Sequence, residues 1–384
     1  MKIIHLTTID MSLDWLLGPQ LKAFRDAGHE LVGMSAPGPH VEAIEANGVR
    51  HVPLTALTRR PTFRADMRAS WQIYRAIRRE RPDILHTHNP KPGVLGRVLG
   101  RVARVPVIVN TQHGLFAQPT DRLKRRLPVY VAERVAAAFG HVELVQNPED
   151  VDTLIRTLKV PRRKVILLGN GIDLSRLNGD RSARAHVRAE WGVGDDEVVA
   201  GVVGRLVREK GLRELFEALH ALKPDHPQLR LVVVGPQDPD KPDGLSPEAI
   251  TEAEELGVVF TGVRHDMPEC YAGMDIFVTA THREGFPRAA MEASASGLPL
   301  VATDIRGCRQ VVDNGVTGLL VPVRSPVALA AAIAELATGP MQRARMGAAA
   351  KAKAQAEFDQ QRVIDLTLEV YQREWSRRAP RRRR

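Results

Sequence analysis

IFVTATHREGFPRAAMEASASGLPLVATDIRG, residues 276–307, is the stretch that decides how the rest of the chain is read. It opens with an apolar run, IFVTA (276–280), and reaches a second one, PLVATD (299–304). Between them THREGFP reads as a loop, and RAAMEASASG as a helix of small residues. Strand, loop, helix, strand is a βαβ unit and implies parallel pairing. Pro287 suits the first turn of the helix, because its missing N–H is one that no helical carbonyl needs.

Outward from there the same alternation recurs. VVAGVVGRL (198–206), LRLVVVG (229–235) and GVVFTG (257–262) read as further strands of the second half. The first half offers KIIHLTT (2–8), ELVGMSA (30–36), ILHTH (84–88), PVIVNT (106–111) and HVELVQN (141–147). Helical patterns lie between; in DWLLGPQLKAFRDAG (14–28), Leu17, Leu21 and Phe24 repeat at helical spacing and Gly28 is a natural stop. The expectation is an α/β chain with two doubly wound parallel sheets and ligands outside the carboxyl ends of the strands. Gly-Asn-Gly turn chemistry in LLGNGIDLSRL (167–177) marks the junction. The expected domains are 1–168 and 169–355, then a closing helix over 356–376 and a disordered basic tail over 377–384.

The totals fit a soluble two-domain protein of 384 residues. No apolar run is long enough to span a membrane, and MKIIHLTTI reads as a buried strand rather than a secretory signal. Two isolated cysteines, Cys270 and Cys308, fit a reducing cytoplasm better than a disulfide framework. The net charge of +10 is unevenly spread: residues 1–170 hold 26 Lys/Arg against 15 Asp/Glu, and 171–376 hold 23 against 30. A basic half points to a polyanionic partner or to a solubilising surface. Few aromatics and no nucleic-acid motif argue against nucleic acid.

The chemistry concentrates after strands. Glu284 sits in the loop, and Glu292 lies five residues beyond Pro287, roughly 7–8 Å farther along the helix axis. Two carboxylates so spaced can accept hydroxyls at two ends of one ligand the size of a nucleotide-sugar, or be solvated glutamates beside a helix start. The first amides of the helix suit a diphosphate or sugar oxygens. In VVGRLVREKGLRELFEAL (202–219), Arg205 follows a strand and Lys210 precedes a helix, a fork and a point charge suited to a diphosphate.

Together, Glu284, seven residues, and Glu292 resemble the E-x7-E signature of retaining glycosyltransferases of the family-four type, and Gly204-Arg205, four residues, and Lys210-Gly211 resemble that family's Gly-Arg…Lys-Gly element. The resemblance implies the GT-B fold, two facing Rossmann-like domains with parallel sheets and a cleft between them. It assigns Arg205 and Lys210 to the donor diphosphate, Glu284 with Gly285, Phe286 and Pro287 to the donor sugar, and Glu292 to the ribose. GVVFTGVRHDMPECYAGMDIFVTA (257–280) resembles the base-pocket segment, with Val263 and Arg264 beside the nucleobase. His113 in VNTQHGLFAQP matches the histidine that meets the transferred sugar. In DILHTHNPKPGVLGRV (83–98), His88, Asn89 and Lys91, together with Thr8, are the expected acceptor contacts. His86 and His88 tempt a zinc reading, but no third and fourth ligand is spaced nearby. Two departures stand out: TTIDMS (7–12) replaces a Gly-Gly turn, and Gln310 stands where relatives often carry Glu.

The implied activity moves a sugar, UDP-linked by expectation, from a nucleotide diphosphate sugar to a lipid-linked or other glycan acceptor, as in cell-surface polysaccharide assembly. No metal and no other cofactor is implied. A nucleotide-sugar epimerase of the same architecture is the alternative. Basic helical stretches at 59–82 and 121–139 mix Arg and Lys with Trp, Tyr, Leu and Val. They read as a peripheral contact with an anionic membrane surface, on the inner face of a cell membrane, or as ordinary basic helix faces.

Overall fold

A computed structural model describes the chain apart from residues 60, 61, 89, 178, 239–242 and 380–384. It divides into two compact units: Met1–Gly169 together with the stretch from Gln361 onward, and Asn170–Gln360.

The first unit is built on seven strands: β1 (Lys2–Ile9), β2 (Glu30–Ala36), β3 (Arg50–Pro53), β4 (Ile84–His88), β5 (Val107–Gln112), β6 (Val142–Val145) and β7 (Val165–Leu167). Their order is β3-β2-β1-β4-β5-β6-β7, parallel throughout. The direction of winding reverses between β1 and β4, the switch point at which such sheets bind ligands. Both faces are covered, which is why the central strands β1, β4 and β5 are buried along most of their length. Ile3, Ile84, Val107 and Val109 pack under the helix Gly18–Asp26 and the helix Gln360–Arg378, through Phe24, Ile364, Val370 and Tyr371. Ile4, Leu6, Leu85 and Ile108 face the opposite way, onto Ala69, Ile73 and Ile77 of the helix Phe63–Glu80.

The second unit carries six parallel strands: β8 (Val198–Val203), β9 (Leu229–Val234), β10 (Val258–Gly262), β11 (Ile276–Thr279), β12 (Leu300–Thr303) and β13 (Gly318–Val321). The order is β10-β9-β8-β11-β12-β13, with the reversal between β8 and β11. Helices Leu212–Leu222 and Pro326–Thr338 cover one face. Arg288–Ala295 and Pro340–Glu357 cover the other.

Three expectations are corrected. The terminal helix is Gln360–Arg378 and belongs with the first unit; residues 356 and 357 end the preceding helix of the second. Arg377 and Arg378 are helical and pair with the buried Glu374 carboxylate, so the tail does not begin at 377; its last five residues lie outside the described part. The short strands β3 and β13 lie at sheet edges, where four residues give too little periodicity to be noticed.

Candidate functional site

In the second unit three loops meet at the carboxyl ends of β8, β11 and β12. The loop after β8 folds into a short turn, Arg208–Lys210, and ends at Gly211 with φ 70°. Only glycine fits there: a Cβ would stand 2.1 Å from the carbonyl oxygen of Ala280. The close approach lets His282 N–H and the Thr281 hydroxyl donate to the Glu209 carbonyl, at 2.8 and 3.1 Å. The Thr303 hydroxyl in turn donates to the Thr281 carbonyl at 2.6 Å, tying in β12.

Those ties bring together two residues that lie 74 positions apart. Lys210 Nζ donates to Glu284 Oε2 at 2.8 Å, and each side chain stays about a quarter exposed. Arg205, at the end of β8, pairs with Asp238 at 2.6 Å. The backbone of Glu284 and Gly285 lies against Gly307, where a Cβ would meet the Glu284 carbonyl at 2.5 Å. The helix Arg288–Ala295 follows Pro287, and no side-chain cap covers its first amides. Phe286 is anchored edge-on against Phe358, with ring centroids 5.9 Å apart. Glu292 accepts from the Tyr271 hydroxyl at 2.9 Å and from Arg288 Nε at 3.1 Å. Burial pushes the Tyr271 phenol well up, so it stays a neutral donor. Arg264 is gripped by Asp266 and by Glu190, the latter at 2.8 Å. Asp238, Tyr271 and Thr281 were not singled out from the sequence; each is distant in the chain from the residue it holds.

In the first unit the candidate residues cluster at the ends of β1, β4 and β5. Alternation along a strand puts His86 and His88 on one face. His5 is the register partner of His86, and Thr111 that of His88. The imidazoles form a connected set: His5 Nδ1 to His88 Nε2 at 3.0 Å, and His88 Nδ1 to His113 Nε2 at 3.0 Å. His86 is held at 2.5 Å by the Tyr371 hydroxyl and at 2.7 Å by Thr111 Oγ1. Burial lowers His5 to about 3 and His113 to about 4, the latter against the opposing effect of the Gln146 side chain. Burial likewise holds His86 and His88 well below the ordinary histidine value. All four are neutral at pH 7.

This geometry corrects one expectation. His88 is buried with both ring nitrogens engaged by other histidines, so it backs His113 instead of meeting an acceptor. Lys91 pairs with Asp66 at 2.5 Å, and Thr8 lies half-buried near the end of β1. Asn89 falls outside the described residues. His5, His86 and His88 have nitrogens within 4.8 Å of one another. His5 was missed, although a histidine inside the apolar run KIIHL was itself a signal.

The opposite face of the same sheet holds a buried ion network. Arg97 donates to Glu143 at 2.8 Å and to Glu133 at 2.5 Å, and Asn110 Nδ2 donates to Glu143 at 2.7 Å. Farther out, Leu123, Leu127, Val131 and Val135 form an exposed stripe on the helix Leu123–Phe139, Leu123 being 62% exposed. Arg126, Arg134 and Lys159 join this stripe around an open groove of about 570 Å³. Phe63, Met67 and Trp71 form a second exposed stripe on the helix Phe63–Glu80. Among the described residues no helix is long and apolar enough to cross a membrane.

Comparison with known proteins covers both units. Residues 183–353 match the family model described as glycosyl transferases group 1, and residues 20–176 match glycosyltransferase family 4. The chain is 29% identical over 292 residues to the UDP-Gal:alpha-D-GlcNAc-diphosphoundecaprenol alpha-1,3-galactosyltransferase of Escherichia coli, covering 74% of this chain and 73% of the other. It is 25% identical over 375 residues, 96% of each chain, to the capsular polysaccharide biosynthesis glycosyltransferase CapM of Staphylococcus aureus. Among solved structures, Anabaena Alr3699/HepE in complex with UDP superposes with a TM-score of 0.81 at 22% identity, over 97% of this chain and 100% of that one.

Proposed function

Since this chain belongs to the group 1 and family 4 glycosyltransferases, enzymes of the GT-B fold, we propose that it moves a sugar from a UDP-sugar to a lipid-linked glycan acceptor, with retention of configuration. The observation that carries this reading is the Lys210–Glu284 pair at the ends of β8 and β11, with Arg205 beside it.

In the free protein each donor-binding cation is neutralised by a carboxylate: Lys210 by Glu284, Arg205 by Asp238. These pairs are partly exposed and therefore weak, so a diphosphate can replace the carboxylates at small cost. Glu284 is then released toward the sugar hydroxyls while Lys210 and Arg205 take the phosphate oxygens. Glu292, oriented by Tyr271 and Arg288, accepts the ribose hydroxyls. As the glycosidic bond breaks, the UDP oxygen leaves with the electron pair, and the two cations stabilise that growing charge. The acceptor hydroxyl bonds to the anomeric carbon from the same face and gives its proton to the departing phosphate. Two fixed cations make a metal ion unnecessary in this scheme. His113 keeps the role toward the transferred sugar that the family resemblance implies.

The acceptor class is drawn from the diphosphoundecaprenol-linked substrate in the name of the Escherichia coli relative and from the capsular relative. The exposed apolar stripes with their flanking arginines suit the headgroup layer of an anionic membrane, where a lipid-linked acceptor resides, on the cytoplasmic side.

A panel of nucleotide-sugars tests the reading by thermal stabilisation, because a ligand of the native state raises its apparent stability. A UDP-sugar is expected to give the largest shift and, with a polyprenyl-diphosphate sugar as acceptor, to release UDP. No shift from any UDP-sugar would overturn the donor assignment. Conversion of a UDP-sugar to an epimer without acceptor would replace transfer by epimerisation. A His113→Ala variant that releases UDP at the normal rate would remove His113 from the scheme.

A further inference from the structure

A cavity of about 320 Å³ opens at the carboxyl end of the second sheet, next to the loops of the candidate donor site. Arg208 of the turn after β8 lines it, with Arg213 of the helix Leu212–Leu222, His282 of the loop after β11 and Arg324 of the segment after β13. Pro326, the first residue of the helix Pro326–Thr338, completes the wall. Arg205, Lys210, Glu284 and Glu292 are not part of it. The volume stands at the small end of ligand pockets and suits a compact occupant.

The cavity gathers positive charge that nothing in the protein answers. Its three guanidiniums come from three separate segments, and their residues are exposed, so an anion can reach them. Among the described residues none of the three has a hydrogen-bond or ion-pair partner. Other arginines of this unit are paired: Arg184 and Arg188 with Asp275, Arg230 with Glu197, Arg264 with Asp266 and Glu190. Counter-ions are not scarce either, since residues 171–376 hold 30 Asp/Glu against 23 Lys/Arg. Two carboxylates do line the cavity. Glu214 already accepts from His282 Nε2 at 2.7 Å, which leaves Glu217 against three arginines. Two helix N-termini adjoin the same space: Arg213 and Glu214 stand in the first turn of Leu212–Leu222, which has no side-chain cap, and Pro326 opens the other helix. Each adds a partial positive charge. Arg324 is held in the left-handed region, at φ 58°, which glycine takes freely and a residue with a Cβ takes at a cost.

We propose that this cavity is a second anion site, separate from the donor diphosphate site, and that it takes inorganic phosphate or a small phosphate monoester. A tetrahedral dianion meets guanidinium forks from several directions at once, whereas a planar carboxylate is matched by one. The site adjoins the donor loops through the backbone. Arg208 stands two residues before Lys210, His282 two before Glu284, and His282 N–H donates to the Glu209 carbonyl at 2.8 Å. It does not rest on the sugar-transfer reading.

The test is calorimetric titration of the full chain with inorganic phosphate at low ionic strength. An Arg205→Ala, Lys210→Ala background removes the donor cations from the signal. One phosphate is expected to bind there, and acetate is expected not to displace it. Adding Arg208→Gln, Arg213→Gln or Arg324→Gly is expected to weaken phosphate about tenfold or more in each case. Glycine suits the backbone at 324, so a loss in Arg324→Gly with an unchanged melting temperature belongs to the side chain. Flotation with phosphatidic acid vesicles separates the sources. Capture that falls with Arg324→Gly, in a chain that binds no soluble phosphate, would assign the same chemistry to a lipid headgroup; soluble binding assigns it to a free phosphate. Binding in neither form would overturn the site, as would binding indifferent to all three substitutions. Acetate bound as tightly as phosphate would overturn the ligand class. UDP binding by the native chain reports on the donor site, so either reading can fail while the other stands.

Discussion

The two faces of the first sheet both bury polar side chains, in opposite charge states. On one face His5, His88 and His113 bond to one another, and His86, packed against them, bonds to Tyr371 and Thr111. On the other, Arg97 is sealed between Glu133 and Glu143. Both sets are largely removed from water, one built on β1, β4 and the end of β5, the other on β6 and the two helices that carry Arg97 and Glu133. The difference is the supply of counter-charge. The imidazoles meet only neutral or like partners, so desolvation wins and they shed their protons. Arg97 meets two carboxylates that hold its guanidinium charged and raise its pKa further, against the burial that works to lower it. Burial alone does not set a protonation state; burial with or without an opposite charge does.

The comparison is easiest to break at Arg97. Arg97→Met leaves two carboxylates buried without a counter-ion and is expected to lose about 3–5 kcal/mol of stability. Urea unfolding measures it; a near-native midpoint would mean the network is solvated. Next comes a third kind of charge, the partly exposed Lys210–Glu284 pair. Lys210→Ala is expected to cut turnover by about 10²–10³-fold with the melting temperature almost unchanged. Near-normal UDP release would remove Lys210 from the donor site.

The neutral face predicts an acid response. His5 and His113 have folded-state values of about 3 and 4, below the 6.5 of an unfolded histidine. The unfolded chain thus binds more protons, and stability falls as pH drops from about 6.5 toward 4. Unfolding midpoints across that window should decline, and His5→Asn should flatten the slope; an unchanged slope would deny that His5 is neutral in the fold. The smallest effect is expected at the surface. Leu127→Asp should weaken flotation with anionic vesicles by about tenfold, through lost apolar contact and added negative charge. Unchanged flotation would move the contact elsewhere.

These regions were not equally legible in the sequence. Glu284 and Glu292, or Arg205 and Lys210, sit within one loop and one turn of helix, so spacing alone brings each pair to one strand end. The imidazole chain draws on β1, β4 and the end of β5, and the neighbouring His86 is held by Tyr371, 285 positions away. No local period encodes such a meeting; it needs the strand order. His88 shows the cost: the same H-x-H spacing serves an outward contact or an inward stack, and register decides between them. Arg97 was passed over because an arginine in a helix is ordinarily exposed.

The chain leaves the first unit once, at Gly169, and re-enters it at Gln361. A gene fragment for residues 170–360 therefore encodes one body whole, while no uninterrupted fragment encodes the other. Exchanging the second unit between relatives takes two splice points, not one. A stop codon near residue 360 would spare the sheet it follows and strip the lid from His86 and Phe24 at the far end of the sequence.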